Sequence, residues 1–308
     1  MKKDLLKMDD LSKEDILDIL NLADQLKYEH KHNIPHEHLK GQSLGMIFEK
    51  SSTRTRVSFE VGMYQLGGNG LFLSSRDLQI GRGEPIEDTA RVLSRFIQGI
   101  MIRTFSQKEV ETLAKYSSIP IINGLTDDEH PCQVLADLMT IREYKNILEG
   151  LNVAYIGDGN NMAHSLIVGC LKTGMNFSIA CPKDYMPKEE YIQRGKELAA
   201  LEETNFVVTH SPLEAVVDAD VVITDVWASM GQEEETKIRQ KAFVGFQINK
   251  ELMALAKQNA LVLHCLPAHR EEEITSQVFD EHANEIFDES ENRLHAQKAV
   301  LVKLMKNN

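Results

Sequence analysis

The stretch NVAYIGDGNNMAHSLIVGCLKTGMNFSIACP (residues 152–182) decides the fold class. Its first run, NVAYIGD, is almost continuously apolar and ends in a Gly/Asn turn; a helical segment, MAHSLIVGCLKTG, follows, and then a second apolar run, NFSIACP. Strands that are apolar on both faces are the mark of a parallel sheet covered by helices. The same reading applies to NFVVTH (205–210), DVVITDVW (220–227) and ALVLHCLP (260–267), with helical segments such as INKELMALAKQ (248–258) between them. Toward the N-terminus, SLGMIF (43–48), GLFLS (70–74), GIMIRTF (99–105) and PIIN (120–123) are further strands. Ser12 with Asp15 begins an amphipathic helix, Ser106 with Glu109 is expected to cap another, and PCQVLADLMTIREYK (131–145) is a long helix with proline in its first turn. The expected fold is therefore α/β: two doubly wound domains, each a mainly parallel sheet flanked by helices, joined by long helices. The restart of the pattern after Gly150 divides the chain into residues 1–148 and 149–289; periodicity alone does not assign the final helix, 290–308, to either half.

A chain of 308 residues suits two domains. Its formal net charge of -13 argues against nucleic-acid binding, which needs excess Lys and Arg to neutralise phosphates. Four widely spaced cysteines suggest reduced thiols of a cytoplasmic protein. No apolar run approaches the length of a membrane span, and the first residues carry no apolar targeting segment, so no membrane partner is expected.

Against that acidic background, residues 50–105 carry eight basic and five acidic side chains, a local +3. A positive island of this kind focuses a small anion. At its start, strand SLGMIF runs through Glu49 and Lys50 into SSTRTR (51–56) and then a helical face. Ser52 and Thr53 stand where free backbone N–H groups favour anions, and Arg54 can fork onto two phosphate oxygens. Arg103 ends a predicted strand, where ligands gather in open sheets, whereas Arg91 and Arg95 form a solvated or salt-bridged face. His130 and Cys132 at the start of the long helix, and His264 and Cys265 at the end of a strand, lack metal-site spacing, so no metal is expected. They indicate instead a polarising His130 and a partly exposed Cys265 thiol.

The turn Gly157-Asp158-Gly159-Asn160-Asn161 resembles the start of a dinucleotide fingerprint, but Met162 stands where the third glycine belongs and the Asp158 carboxylate would face a pyrophosphate. NAD binding is disfavoured. Asn160 and Asn161 can instead offer amide donors to a carboxylate, and Asp225, followed by a polar loop with Ser229, Met230 and Gly231, can pair an ammonium group. A nicotinamide-dependent dehydrogenase and a noncatalytic phosphometabolite-binding regulator remain as rival readings, and each leaves many motifs unexplained.

The motifs SSTRTR, DLQIGRGEP (77–85), MIRTF, HPCQ, DGNN, DVWASMGQE, HCLPAHR and ENRLHAQKAVL occur in the order seen in ornithine carbamoyltransferases, and this resemblance spans most of the chain. It implies that Ser52, Thr53, Arg54, Thr55, Arg103, His130 and Gln133 hold carbamoyl phosphate, with Cys265, Leu266 and Arg293 completing its surroundings and the final helix packing back on the first domain. It implies that Asn161 and the Met230 backbone hold the ornithine carboxylate, that Asp225 and Ser229 take its α-ammonium, and that Cys265 sits beside its side-chain amine. It further implies a homotrimer in which Gln79 reaches a neighbour's active site. Catalysis would rest on Arg54, Arg103, His130, Asp225 and Cys265, and the products would be citrulline and phosphate, formed with no metal or organic cofactor. Putrescine or an acylated ornithine is the alternative acceptor.

Overall fold

A computed structural model gives the structure of residues 3–80, 83–228 and 235–306. The chain divides into two compact units, residues 1–139 with 292–308, and residues 140–291.

In the first unit, helix α1 (Lys13–Lys31) starts on a capping box: Ser12 Oγ accepts from Asp15 N (3.1 Å) and Asp15 Oδ2 accepts from Ser12 N (3.2 Å). Then follow β1 (Ser43–Phe48), α2 (Thr53–Gln65), β2 (Asn69–Ser74), α3 (Ile86–Leu93), β3 (Gly99–Arg103), α4 (Gln107–Tyr116), β4 (Ile121–Leu125) and α5 (Pro131–Lys145). The four strands are parallel in the order β2-β1-β3-β4. Ile47, Ile100, Ile102, Val110 and Leu113 form a core between this sheet and its helices. Edge strand β2 is apolar yet half-exposed at Leu71 and Phe72, because an edge has a neighbour on one side only.

The second unit continues with β5 (Asn152–Ile156), α6 (Asn161–Lys172), β6 (Asn176–Ala180), α7 (Glu189–Leu201), β7 (Phe206–Thr209), α8 (Pro212–Val216), β8 (Val221–Thr224), α9 (Thr236–Ala242), α10 (Lys250–Met253), β9 (Leu261–His264) and α11 (Ser276–Glu281). Its strands are all parallel, ordered β7-β6-β5-β8-β9. Val222, Val262, Trp227, Phe243 and Ile274 belong to its core. These two sheets are the doubly wound α/β architecture expected from the apolar runs.

Helix α12 (Ala283–Met305) carries the second unit boundary. Its later part completes the first unit. Lys27 Nζ donates to Asn292 Oδ1 (2.7 Å), the fully buried Lys298 donates to Gln65 Oε1 (2.9 Å), and Met305 lies against Gly99, where a Cβ would come within 3.0 Å of its sulfur. Burial lowers the Lys298 ammonium to about 8. Gly62 on α2 admits Lys298, Leu294 and Leu301 at 3.3–3.9 Å from the position of an absent Cβ.

One expected cap differs. Ser106 precedes α4 without a side-chain cap, and the Glu109 carboxylate that a capping box would use accepts from Thr104 Oγ1 at 2.5 Å. Thr104 also lies 2.5 Å from Glu49 Oε2. Burial pushes the Glu109 carboxyl up, and Glu49 beside it acts in the same direction.

Candidate active site

Each sheet has one point where its strand order reverses, and in open α/β sheets ligands bind at the carboxyl ends of the strands there. In the first unit that point lies between β1 and β3. Beyond β1 the chain turns through Glu49–Ser51, and Ser52 caps α2, its Oγ accepting from Thr55 N at 3.2 Å. Thr55 is fully buried, and its hydroxyl gathers three donors: Ser52 Oγ at 3.1 Å, Arg293 Nη2 at 2.9 Å and, more weakly, Arg103 Nη1 at 3.5 Å. Arg103 comes from the last position of β3, and Arg293 from α12.

The imidazole of His130, just before α5, is buried in the same group. Burial first, and then the guanidinium charges of Arg293, Arg103 and Arg54, hold it well below its ordinary value, so it is neutral at physiological pH. A neutral imidazole can donate one N–H without adding charge. The Ser52 cap, the N–H groups of the first turn of α2 and three arginines therefore form a preorganised anion site, with His130 able to polarise a group beside the anion. Gln133 is buried one turn into α5, its amide donating to Asp137 Oδ1 (2.8 Å). Lys50, over the Phe105 ring, pairs with Asp127. A cavity of about 230 Å³ adjoins the start of α2, lined by Ser51, Ser52, Thr53, Phe72, Ser75 and Arg76. Thr53 is exposed, and Gln79 lies exposed in the bend that follows β2. Arg91 pairs with Asp88 on an exposed helix face, and Arg95 bonds the Arg91 carbonyl, as the helical spacing suggested.

In the second unit the reversal lies between β5 and β8, and its groups converge on Asp225, the residue after β8. Asn160 caps α6 with its Oδ1, which accepts from Met162 N (2.9 Å) and Ala163 N (3.3 Å), and donates its amide to Asp225 Oδ2 (2.8 Å). The cap is thus Asn160, and its amide is committed to Asp225 rather than to a ligand carboxylate. Asn161 opens α6, half-buried. The Cys265 thiol donates to Asp225 Oδ1 (3.1 Å), and Val226 N donates to the same oxygen (2.8 Å). A buried carboxylate so arranged is suited to an ammonium ligand, with the thiol beside it. Ser229 and Met230 lie outside the described residues.

Cys265 is positioned from beneath. His264 is buried, its Nε2 2.9 Å from Glu273 Oε1, and its Nδ1 accepts from Leu266 N (2.9 Å). Glu273 Oε1 also accepts from His269 N (2.6 Å). These bonds hold Leu266 in the left-handed region (φ 59°), which a leucine adopts only under constraint. Asp225, His264 and Cys265 offer ligand atoms within 4.8 Å of one another, as do His269, Glu272 and Glu273. In the first set both ring nitrogens of His264 are already engaged, so a metal there would have to break the bond to Glu273 or to Leu266 N.

The Gly157–Asn160 turn serves the protein's own backbone. A Cβ on Gly159 would lie 2.2 Å from Pro187 N, and Gly159 N donates to Tyr185 O (2.8 Å). The segment 185–187 fills the space over this glycine, which adds a steric reason to the missing third glycine against a dinucleotide. Asp158, whose carboxylate counts against a pyrophosphate here, is buried and paired with Arg239 at 2.7 Å. Sequence reasoning missed Arg239, the His264–Glu273 pair and the Asn160–Asp225 bond; only Asn160, polar and directly before a helix, carried a local capping signal.

The architecture is that of a two-unit, doubly wound α/β protein with one polar site at each switch point. The chain belongs to the aspartate/ornithine carbamoyltransferase family. Residues 3–143 match "Aspartate/ornithine carbamoyltransferase, carbamoyl-P binding domain", and residues 149–304 match "Aspartate/ornithine carbamoyltransferase, Asp/Orn binding domain". The chain is 57% identical over 303 residues to an ornithine carbamoyltransferase of Anoxybacillus flavithermus, covering 98% of this chain and 96% of that one. It resembles the solved ornithine carbamoyltransferase of Pyrococcus furiosus with a TM-score of 0.95 and 51% identity, covering 99% and 97% of the two chains. An anabolic ornithine carbamoyltransferase from Campylobacter jejuni gives 0.94 and 43%, covering 98% and 99%. Among the described residues no helix is long and apolar enough to cross a membrane.

Proposed function

We propose that the protein transfers the carbamoyl group of carbamoyl phosphate to the side-chain amine of L-ornithine, giving L-citrulline and phosphate. The observation that carries this reading is the set of three guanidiniums around a neutral, buried His130 at the first switch point. Arg54, Arg103 and Arg293 would hold the phosphate with Ser52, Thr53 and Thr55, while His130 and Gln133 face the carbamoyl group and Leu266 closes its surroundings. Asp225 and Ser229 would take the α-ammonium of ornithine, Asn161 and the Met230 backbone its carboxylate, and Cys265 would sense the side-chain amine.

The neutral amine attacks the carbonyl carbon to form a tetrahedral oxyanion. The bond from carbon to the phosphate oxygen then breaks, phosphate leaves with the electron pair, and the proton of the attacking nitrogen passes to the departing phosphate. Arginine charge stabilises the oxyanion and the departing phosphate, and simultaneous binding of both substrates removes the entropic part of the barrier. No step calls for a metal or organic cofactor.

The family resemblance supports a homotrimer in which Gln79 enters a neighbour's site, and the exposure of Gln79 agrees with a contact outside its own chain. Four cysteines outside any disulfide, three of them buried, support a cytoplasmic setting. Initial rates with ornithine, putrescine and N-acetylornithine test the assignment. Citrulline from ornithine with little turnover of the others is expected, because N-acetylornithine lacks the free α-ammonium that Asp225 would pair and putrescine lacks the carboxylate that Asn161 would hold; preference for either alternative overturns it.

A further inference from the structure

Arg239, on α9, is buried, and no role in the proposed transfer accounts for it. Its Nη1 donates both to Asp158 Oδ2 (2.7 Å) and to the Trp227 carbonyl (2.9 Å), its Nε donates to Glu235 Oε2 (3.0 Å), and its guanidinium lies 4.8 Å from the Tyr185 ring centre. Asp158 stands two residues before Asn160, and Trp227 two residues after Asp225. Burying such a pair costs desolvation that an apolar pair would avoid, so stability alone is a weak reason for it. We infer that Arg239 is a positioning residue for the amino acid substrate: by bonding Asp158 and the Trp227 carbonyl together, it fixes the turn after β5 and the segment after β8 at the spacing the Asn160–Asp225 pair requires.

The surroundings make this device sensitive to pH. Asp158 faces Arg239 from α9 and Glu235 just before it, Asp225 after β8, Tyr155 from β5 and Cys181 after β6. Burial raises its carboxyl to about 6 against the pull of Arg239, with Asp225 and Glu235 acting in the same direction as burial. As pH falls through about 6, Asp158 takes up a proton, and the Arg239 guanidinium keeps its charge but loses its anionic partner. The folded value exceeds the ordinary one, so this group favours the folded state increasingly as pH falls from about 6 toward 4. Loss of substrate affinity in that window is therefore not explained by unfolding from this group.

The inference rests on the proposed carbamoyl transfer, and the experiment separates the two. Wild type is first assayed for citrulline; none formed overturns the transfer reading itself. Binding of L-norvaline, which has ornithine's carboxylate and α-ammonium but no side-chain amine to titrate, is then measured with carbamoyl phosphate saturating from pH 5 to 8. Wild-type affinity should fall below pH about 6. Asp158→Asn should bind norvaline weakly with no inflection there. Arg239→Gln should weaken norvaline on the order of tenfold at pH 7.5, with Arg239→Lys intermediate, and both should leave carbamoyl phosphate binding within about twofold. Should Arg239→Gln fail to fold, the lysine variant and Asp158→Asn decide. Unchanged norvaline affinity in the folded Arg239 variants, equal weakening of both ligands, or an acid inflection that persists in Asp158→Asn overturns the inference.

Discussion

Replacing Thr55 by valine keeps the volume of a fully buried side chain and removes the oxygen that joins Ser52, Arg103 and Arg293. The 2.9 Å bond from Arg293 is the strong one; at 3.5 Å the Arg103 contact contributes little. Two costs follow. A charge-assisted bond is worth about 1.5–3 kcal/mol, so the first unit should lose about that much stability. Without the hydroxyl, the Arg293 head also loses one of the bonds that preset it; fixing an arginine side chain costs at most about 1.5–2 kcal/mol, which sets an upper bound of roughly a 10- to 30-fold rise in the Kd for carbamoyl phosphate. An opposing effect is the released N–H, which could bind the anion more tightly. Preorganisation wins if Thr55 holds the guanidinium where the phosphate needs it. Calorimetric titration with carbamoyl phosphate, performed cold to limit its decay, decides between them, with Thr55→Ser as the control that restores the acceptor. Affinity that is unchanged or tighter in Thr55→Val would refute the view that this hydroxyl presets the arginine group.

Asp225→Asn removes the charge intended for the α-ammonium but leaves the first unit intact, so the ornithine KM should rise at least tenfold while the Kd for carbamoyl phosphate in the free enzyme stays put; parallel loss of both would sink that division of roles. Mixing an inactive Gln79 variant with an inactive Arg54→Gly variant should restore part of the activity if sites are shared between subunits, and no recovery after verified subunit exchange counts against the trimeric proposal. Gly159→Ala sets a methyl 2.2 Å from Pro187 N and 2.3 Å from the Met186 carbonyl carbon, both backbone atoms, so the second unit should be destabilised by about 1–3 kcal/mol or more, read as a lower Tm. An unshifted Tm would show that residues 185–187 yield freely.

Legibility followed the range of the interaction. SLGMIF is β1, and PCQVLADLMTIREYK is α5 residue for residue, because apolar runs and a helix-opening proline are local signals. The arginine group was visible in part: Arg54 lies beside a helix start and Arg103 at a strand end, but the contact of Arg293 with Thr55 spans 238 residues and has no periodic trace. The family resemblance, not the spacing, pointed to Arg293. The ion pair of Asp158 had no local signal, because its partner, Arg239, is 81 residues away. Ser106 makes no side-chain cap, and the reciprocal half of a capping box is missing for a local reason: the Glu109 carboxylate it would use accepts from Thr104.

The return of α12 to the first unit sets an order of events during synthesis. Residues 140–291 are translated between Met139 and Asn292, a delay of roughly 8–30 s at about 5–20 residues per second. Throughout that interval the nascent first unit lacks Arg293 at its anion site and the lysine and leucines that cover Gly62, and Gly99 awaits Met305. The ribosome therefore carries an unclosed first unit while the second is being made, with an apolar surface open to chaperones. Any termination before Arg293 would release a first unit unable to assemble its full set of arginines.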